Sequence, residues 1–276
     1  MFEVHYTPKM VAPAQKHSPS AHKPAEVVAS WLKMLPNLKI VEPVPVDTND
    51  LALAHDLDWV IDVLTGKADN GFGNRSMEVA GTLMHTNGAM LSAAKAAIRH
   101  GIAVAPCSGF HHAGWAMAKD YCTFNGLMVA ARVLLEGGWL SRVGILDADM
   151  HHGDGTEEII AALGETRVEH YSVGEHFYYA SHAKQFLAEL PDRVSAFADC
   201  DVLLYQAGAD PHVDDPLGGW LTTEELFKRD YIVFNRCRQM GLPVAWNLAG
   251  GYQTPLRKVL DIHNNTMRAA KIVWSR

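Results

Sequence analysis

The stretch VGILDADMHHGDG, residues 143–155, decides the fold. Its opening is an apolar run short enough for one buried strand. The ten residues from Leu146 then put three carboxylates and two imidazoles directly after that run. In an extended segment successive side chains alternate, so Asp147, Asp149 and His151 face one way while Ala148 and Met150 pack the other. Gly153 and Gly155 let the chain turn away. A core strand normally hands over to an unremarkable turn, and this one hands over to titratable groups.

Outward from it, short apolar runs alternate with helical patterns. Residues 24–35 read as a helix. Residues 77–100 carry small and apolar side chains at helical spacing, with Gly101 as a stop, and 102–105 follow as a strand. The same reading gives helices at 127–135, 157–163, 184–190, 222–240 (Thr222 as N-cap) and 257–274, and strands at 143–146, 167–173, 202–205 and 244–248. Strands separated by helices need crossover connections, which predicts a three-layer α/β/α fold around a mostly parallel sheet covered on both faces. Residues 11–25, rich in Pro, Ser, Ala and Lys, read as an irregular arm. No later segment reads as a linker and no repeat is visible, so residues 1–276 are expected to form a single domain.

Composition narrows the function. The chain has 276 residues, 48% hydrophobic and 20% charged, and a net charge of -7. That balance gives no broad footprint for nucleic acid or an anionic membrane, and a small or locally cationic ligand fits better. The apolar runs are too short to span a bilayer and the first residues lack a signal-peptide core, so the expected location is cytoplasmic. Four cysteines without a CxxC pair read as buried thiols rather than a disulfide frame or thiolate metal site. Histidine stands out at 15 residues, four of them in the pairs His111-His112 and His151-His152.

Ligands of open α/β sheets bind beyond the carboxyl ends of the strands. Four such ends are loaded here: the segments beginning at Pro106, at Asp147, at Gln206 and at Asn247. Crowding Asp149 and His151 with Asp210 from another strand end is costly unless a cation is shared. The alternative, an ion-pair cluster at a helix start capped by Asp154 or Thr156, leaves that cost uncompensated. Three ligands with an open position mark a catalytic rather than structural site. Two anionic oxygens and one nitrogen suit Zn(II), with Fe(II), Co(II) and Mn(II) also allowed by ligand type. Water activation needs a base and a leaving amine needs an acid; two imidazoles, His111 and His112, each oriented by a carboxylate such as Asp147 or Asp154, are the candidates for both functions. Gly250 and Gly251 would let Tyr252 bring its hydroxyl over the metal.

These motifs together resemble the zinc-dependent histone deacetylase and acetylpolyamine amidohydrolase superfamily. They run in family order from about residue 66 to 252: His111-His112-Ala113, Cys122 with Phe124-Asn125, 147–156, 206–210 with the DDPLGG run at 214–219, and Gly250-Gly251-Tyr252. The DDPLGG run at 214–219 resembles the class II and bacterial branch more than class I. The resemblance implies zinc on Asp149, His151 and Asp210. It further implies a tandem acid/base pair of His111 with Asp147 and His112 with Asp154, and an oxyanion donor in Tyr252. Tyr121 falls where the family has an aromatic channel wall, and Asp69 matches a rim carboxylate that holds substrate. A structural potassium ion is implied near Asp147, Asp149, His151, Ser172 and Val173, largely through main-chain oxygens.

Two departures stand out. Asp120 replaces the glycine that usually precedes the aromatic-Cys pair. Only 37 residues lie between Ser172 and Asp210, a shorter segment than the family usually has. One channel wall is therefore open or is rebuilt from Phe177, Tyr178 or Tyr179, and a second potassium site is not expected. The expected activity is hydrolysis of N-acetylated lysine or polyamine-type amines to acetate, with no nucleic-acid or membrane partner. The rival readings are a catalytically weak acyl-amine binder that keeps its metal and an arginase-like dimetal hydrolase. His152 is assigned a structural place.

Overall fold

The computed structural model describes residues 3–12 and 21–275, so much of the expected N-terminal arm lies outside the described residues. Its strands are β1 (Glu3–His5), β2 (Lys39–Val41), β3 (Ile102–Val104), β4 (Val143–Asp147), β5 (Val168–Ser172), β6 (Val202–Gln206) and β7 (Val244–Asn247). All pair in parallel, in the order β2-β1-β3-β7-β6-β4-β5. The helices are α1 (Lys23–Met34), α2 (Thr48–Ala52), α3 (Leu57–Leu64), α4 (Met77–His100), α5 (Gly126–Glu136), α6 (Asp154–Leu163), α7 (Ala183–Ser195), α8 (Thr223–Met240) and α9 (Arg257–Trp274). Together they form the expected three-layer α/β/α fold. No helix among the described residues is long and apolar enough to cross a membrane.

Alternation along the strands builds two cores. Leu146, Leu203, Tyr205, Val244 and Trp246 face one side and pack with residues of α1, α7, α8 and α9. Val143, Ile145, Val202, Leu204 and Ala245 face the other and pack with α3, α4 and α5. Every residue of β4, β6 and β7 is buried, which is why these strands are apolar up to their last residues, Asp147, Gln206 and Asn247. Removing one such side chain, Trp246 for example, costs about 3–5 kcal/mol of stability.

Helix ends follow the local chemistry in most places. The Thr222 side chain accepts from Glu225 N in a capping box, and Ser76 Oγ accepts from Val79 N. At α6 neither residue of the alternative capped-helix reading serves as the cap: Gly153 is the N-cap, with no side-chain bond. The Asp154 carboxylate turns to His112, and Thr156 Oγ1 accepts from Asn125 Nδ2. α7 runs five residues past its expected end at Leu190, through Pro191, with Ser195 Oγ donating to the Pro191 carbonyl. Strands β1 and β2 and helices α2 and α3 were not expected: β1 (EVH) and β2 (KIV) mix charged or imidazole side chains into three residues, and α2 and α3 are five and eight residues long, too short for a clear period.

The loop after α2 is locked by His55. Its Nδ1–H donates to the Gly114 carbonyl at 2.9 Å, and its Nε2 accepts from Asn125 N at 2.8 Å. Both bonds require the neutral ring, and burial lowers its pKa from 6.5 to about 4. The stabilisation is therefore complete above about pH 6.5 and is lost as pH falls toward 4. It amounts to about 3 kcal/mol. His55→Leu is expected to give a flatter dependence of unfolding free energy on pH across that window than the parent; parallel slopes would contradict this assignment.

Candidate active site

The loaded strand ends belong to β3, β7, β6 and β4, which are consecutive neighbours in the sheet. Their carboxyl-terminal loops surround one cavity of about 290 Å³, lined by His111, His112, Asp149, His151, Tyr121 and Tyr252 among others. Sequence-distant groups meet there because adjacent parallel strands deliver them to the same edge.

Past β4, Asp149, His151 and Asp210 each place one ligand atom within 4.8 Å of the other two. His151 Nδ1 lies 3.1 Å from Asp149 Oδ1 and 3.2 Å from Asp210 Oδ2. Gly250 N donates to Asp149 Oδ2 at 3.0 Å, and Met150 N donates to Asp210 Oδ1 at 3.2 Å. Asp210 Oδ2 is buried and accepts no hydrogen bond. Burial and the Asp149 carboxylate push the Asp210 pKa up to about 7. Burial also acts to raise Asp149, but His111 and His151 outweigh it and hold that carboxyl well below its ordinary value. Two crowded carboxylates, an imidazole and an oxygen without a donor fit a divalent cation. Gly250 is required here, since a Cβ would lie 2.2 Å from Asp210 Oδ2.

The histidine pair sits on a tight turn closed by Ala113 N donating to the Phe110 carbonyl at 3.1 Å. That turn brings both rings to one side, with centroids 4.0 Å apart. His111 Nδ1 lies 2.6 Å from Asp147 Oδ2, and His112 Nδ1 lies 2.6 Å from Asp154 Oδ1. Gly155, at the start of α6, packs against the backbone of His112 and Ala113, where a Cβ would come within 2.5 Å. The two rings titrate apart. Burial opposes the charged form of His111, but Asp147 and Asp149 prevail and raise its pKa to about 9. Burial and the neighbouring His111 lower His112 despite Asp154.

Tyr252 lines the cavity beside Tyr121, ring centroids 6.0 Å apart. Its backbone N donates to Asp215 Oδ2 at 2.8 Å. Burial and the nearby Asp210 and Asp149 raise its pKa well above the ordinary value, so the hydroxyl keeps its proton. Gly250 also lines the cavity, while Gly251 adopts φ +125 next to it. Asp69 does not line the cavity: it is exposed and bonds to Arg75 Nε at 2.9 Å. Phe177 is also absent from the wall, because it packs against Phe186 and Trp220 in the core. Tyr178 and Tyr179 point to solvent. On that side the wall is Leu217, half exposed, from the loop before α8. Asp147 and Ser172 are register partners of β4 and β5, and Gly174 packs against the His151 backbone, so the residues implied for potassium are neighbours. His152 stands apart, 2.9 Å from Glu157. All four cysteines are buried and free.

Three supports lay outside the sequence reading. Gln206 Nε2 donates to Asp147 Oδ1 at 3.0 Å while its Oε1 accepts from Phe110 N, tying the His111 loop to β4. Buried Arg229 donates to the carbonyls of Ala148 and Gly208 at 2.9 and 2.8 Å, holding the chain just before Asp149 and Asp210. Fully buried Lys23 donates to the carbonyls of Ala249 and of Gly250, at 3.0 Å to the latter, fixing the turn that leads to Tyr252. Lys23→Met removes the side-chain donor to the Ala249 carbonyl and leaves the Gly250 carbonyl with Ala209 N alone, at 3.3 Å; it is expected to lower the unfolding free energy by about 1–3 kcal/mol in urea titrations. No change would mean that the turn holds itself.

Comparison with known proteins bears on the family and the fold. A family model described as the histone deacetylase domain matches residues 17–181. The match stops before Tyr252, which lines the cavity, and before Asp210, which is buried against the cavity-lining His151. An uncharacterised protein of Picosynechococcus sp. is 29% identical over 261 residues, covering 86% of each chain. Acetylpolyamine amidohydrolase 1 of Pseudomonas aeruginosa is 30% identical over 172 residues, 51% of this chain and 48% of that one. The chain thus matches about half the length of that amidohydrolase. The crystal structure of acetylpolyamine aminohydrolase from Burkholderia pseudomallei superposes with TM-score 0.76 at 17% identity, over 99% of both chains, a likeness of fold. With more than half of its residues matched by the family model, the chain belongs to the histone deacetylase domain family.

Proposed function

We propose that the chain is a metal-dependent amidohydrolase that releases acetate from N-acetylated lysine or polyamine-type amines. The observation that carries this reading is one cavity lined by Asp149, His151 and two carboxylate-paired histidines, with Asp210 buried against Asp149 and His151 to complete a three-ligand group. Asp149, His151 and Asp210 would hold zinc, with iron(II) and cobalt(II) suited to the same donors. A divalent ion there supplies Lewis-acid polarisation of the amide carbonyl and lowers the pKa of the attacking water.

The remaining chemistry belongs to the side chains. His112 donates Nδ1–H to Asp154, which leaves Nε2 free to accept the proton of the attacking water as the C–O bond forms. Its lowered pKa keeps the ring neutral and ready. Tyr252 donates its hydroxyl to the oxyanion that develops on the carbonyl oxygen. His111, held charged by Asp147, stabilises the negative charge beside it. As the C–N bond breaks, an imidazolium of the pair returns a proton to the departing amine, and acetate and amine leave. Tyr121 and the Gly250-Gly251 turn shape the space around the acyl stem, with Asp69 as an outlying contact for longer substrates. A potassium ion beside Asp147, Asp149, His151, Ser172 and Val173 belongs to the same proposal, on adjacency alone.

The test is acetate release from a panel of acetylated peptides and acetylated polyamines by protein loaded in turn with zinc, iron(II) and cobalt(II). Release from at least one substrate is expected. The half-exposed Leu217 wall favours one rival, an acyl-amine binder, and binding without acetate would select it.

A further inference from the structure

The loop that carries Tyr121 has a feature that amide hydrolysis does not use. Lys119 N donates to the Cys122 carbonyl at 2.9 Å, and Cys122 N donates to the Lys119 carbonyl at 2.8 Å. Between them Asp120 and Tyr121 have φ of +47 and +66. Reciprocal bonds around two positive-φ residues are the mark of a type I′ turn, in which glycine is least strained and Asp or Asn are tolerated. This turn instead carries a carboxylate and an aromatic ring, both of which line the cavity. Strain kept at a binding surface points to use.

Asp120 is also the unpaired carboxylate of that wall. It is exposed and makes no ion pair or side-chain hydrogen bond among the described residues. Its neighbour Lys119 bonds to Asp154 and feels the Asp120 charge only more weakly, and among the described residues no lysine or arginine lines the cavity. Asp69, the other acidic candidate, is engaged by Arg75. A free negative charge at the mouth, ahead of the apolar wall of Tyr121, Leu217 and Tyr252, suits a molecule with a cationic end, an alkyl stem and a neutral amide.

We propose that Asp120 is a specificity-determining residue whose carboxylate receives a protonated amine carried on the same molecule as the scissile amide. This rests on the amidohydrolase reading above. The test compares kcat/KM of the zinc-loaded full chain on monoacetylated diaminobutane and on N-pentylacetamide, its uncharged isostere. The charged-to-neutral ratio is the readout. In Asp120→Asn and Asp120→Gly the ratio is expected to fall about fivefold, through KM, as suits a solvent-exposed ion pair. Thermal midpoints of both variants are measured as a check on folding, and Asp120→Gly is expected to match or exceed the parent.

An unchanged ratio, or equal losses on both substrates, overturns the proposal, since either means that Asp120 only shapes the turn. A short acetyl-lysine peptide with and without an adjacent arginine separates two sources of the cation: a ratio that responds to Asp120 only with the diamine assigns the site to small polyamines, and one that responds with both assigns it to any nearby cation. If the parent cleaves neither substrate, the amidohydrolase reading fails by itself. Calorimetric binding of the acetylated diamine then decides: weaker binding by Asp120→Asn upholds the carboxylate's role, and equal binding overturns it.

Discussion

Tyr252→Phe is expected to retain one metal ion per chain and to release acetate about two to three orders of magnitude more slowly than the parent, with KM little changed. The hydroxyl is the only atom removed, and it belongs to none of the three grouped ligand residues. What is lost is a donor aimed at charge that exists only in the transition state, so the loss falls on kcat. The turn supporting it is untouched, because Lys23 and Asp215 hold backbone atoms rather than the ring. Parent-like turnover by this variant on an acetylated amine would remove Tyr252 from the mechanism.

Asp210→Asn should act in two opposite directions. Metal affinity is expected to fall by more than the roughly 10–100-fold typical of changes in groups that merely support ligands, and acetate release should fall with it. The metal-free protein should become more stable. Burial and Asp149 hold the Asp210 pKa up at about 7, so ionising this carboxyl opposes folding. A carboxyl raised in the folded state stabilises below its ordinary pKa of about 4, and that contribution is lost as pH rises toward 7. The amide has no charge to lose and keeps an oxygen for Met150 N. Metal-free Asp210→Asn is therefore expected to exceed the metal-free parent by on the order of 2 kcal/mol at pH 8, and to differ little at pH 4. A variant less stable than the parent at pH 8 would contradict the crowded-carboxylate account.

The central strands were readable because each is buried on both faces, which forces an apolar run that ends abruptly in polar residues. β1 and β2 offered no such run, since β1 flanks Val4 with Glu3 and His5 while β2 begins with Lys39 and is largely exposed at the sheet edge. The trio of Asp149, His151 and Asp210 was readable from the cost of crowding charge. Asp147 and Asp154 were readable as partners of the histidines because each lies at a loaded strand end or the helix start that follows it. Lys23, Arg229 and Gln206 were not readable, since each acts on the site through distant backbone or a partner on another strand. Lys23 lies 226 positions from the carbonyl it holds, and no local pattern records that relation. The rebuilt channel wall was misplaced for a similar reason: the aromatic run at 177–179 follows β5 at the sheet edge, where Phe177 finds the core before it can reach the cavity.

The most direct test of the account is metal removal and return. Chelated, dialysed protein should release no acetate from acetylated diamines or acetyl-lysine peptides. Zinc titration should restore release in proportion to metal bound, saturating at one ion per chain. Acetate release by the metal-free chain, or saturation only at two transition-metal ions, would contradict a single-metal hydrolase built on Asp149, His151 and Asp210.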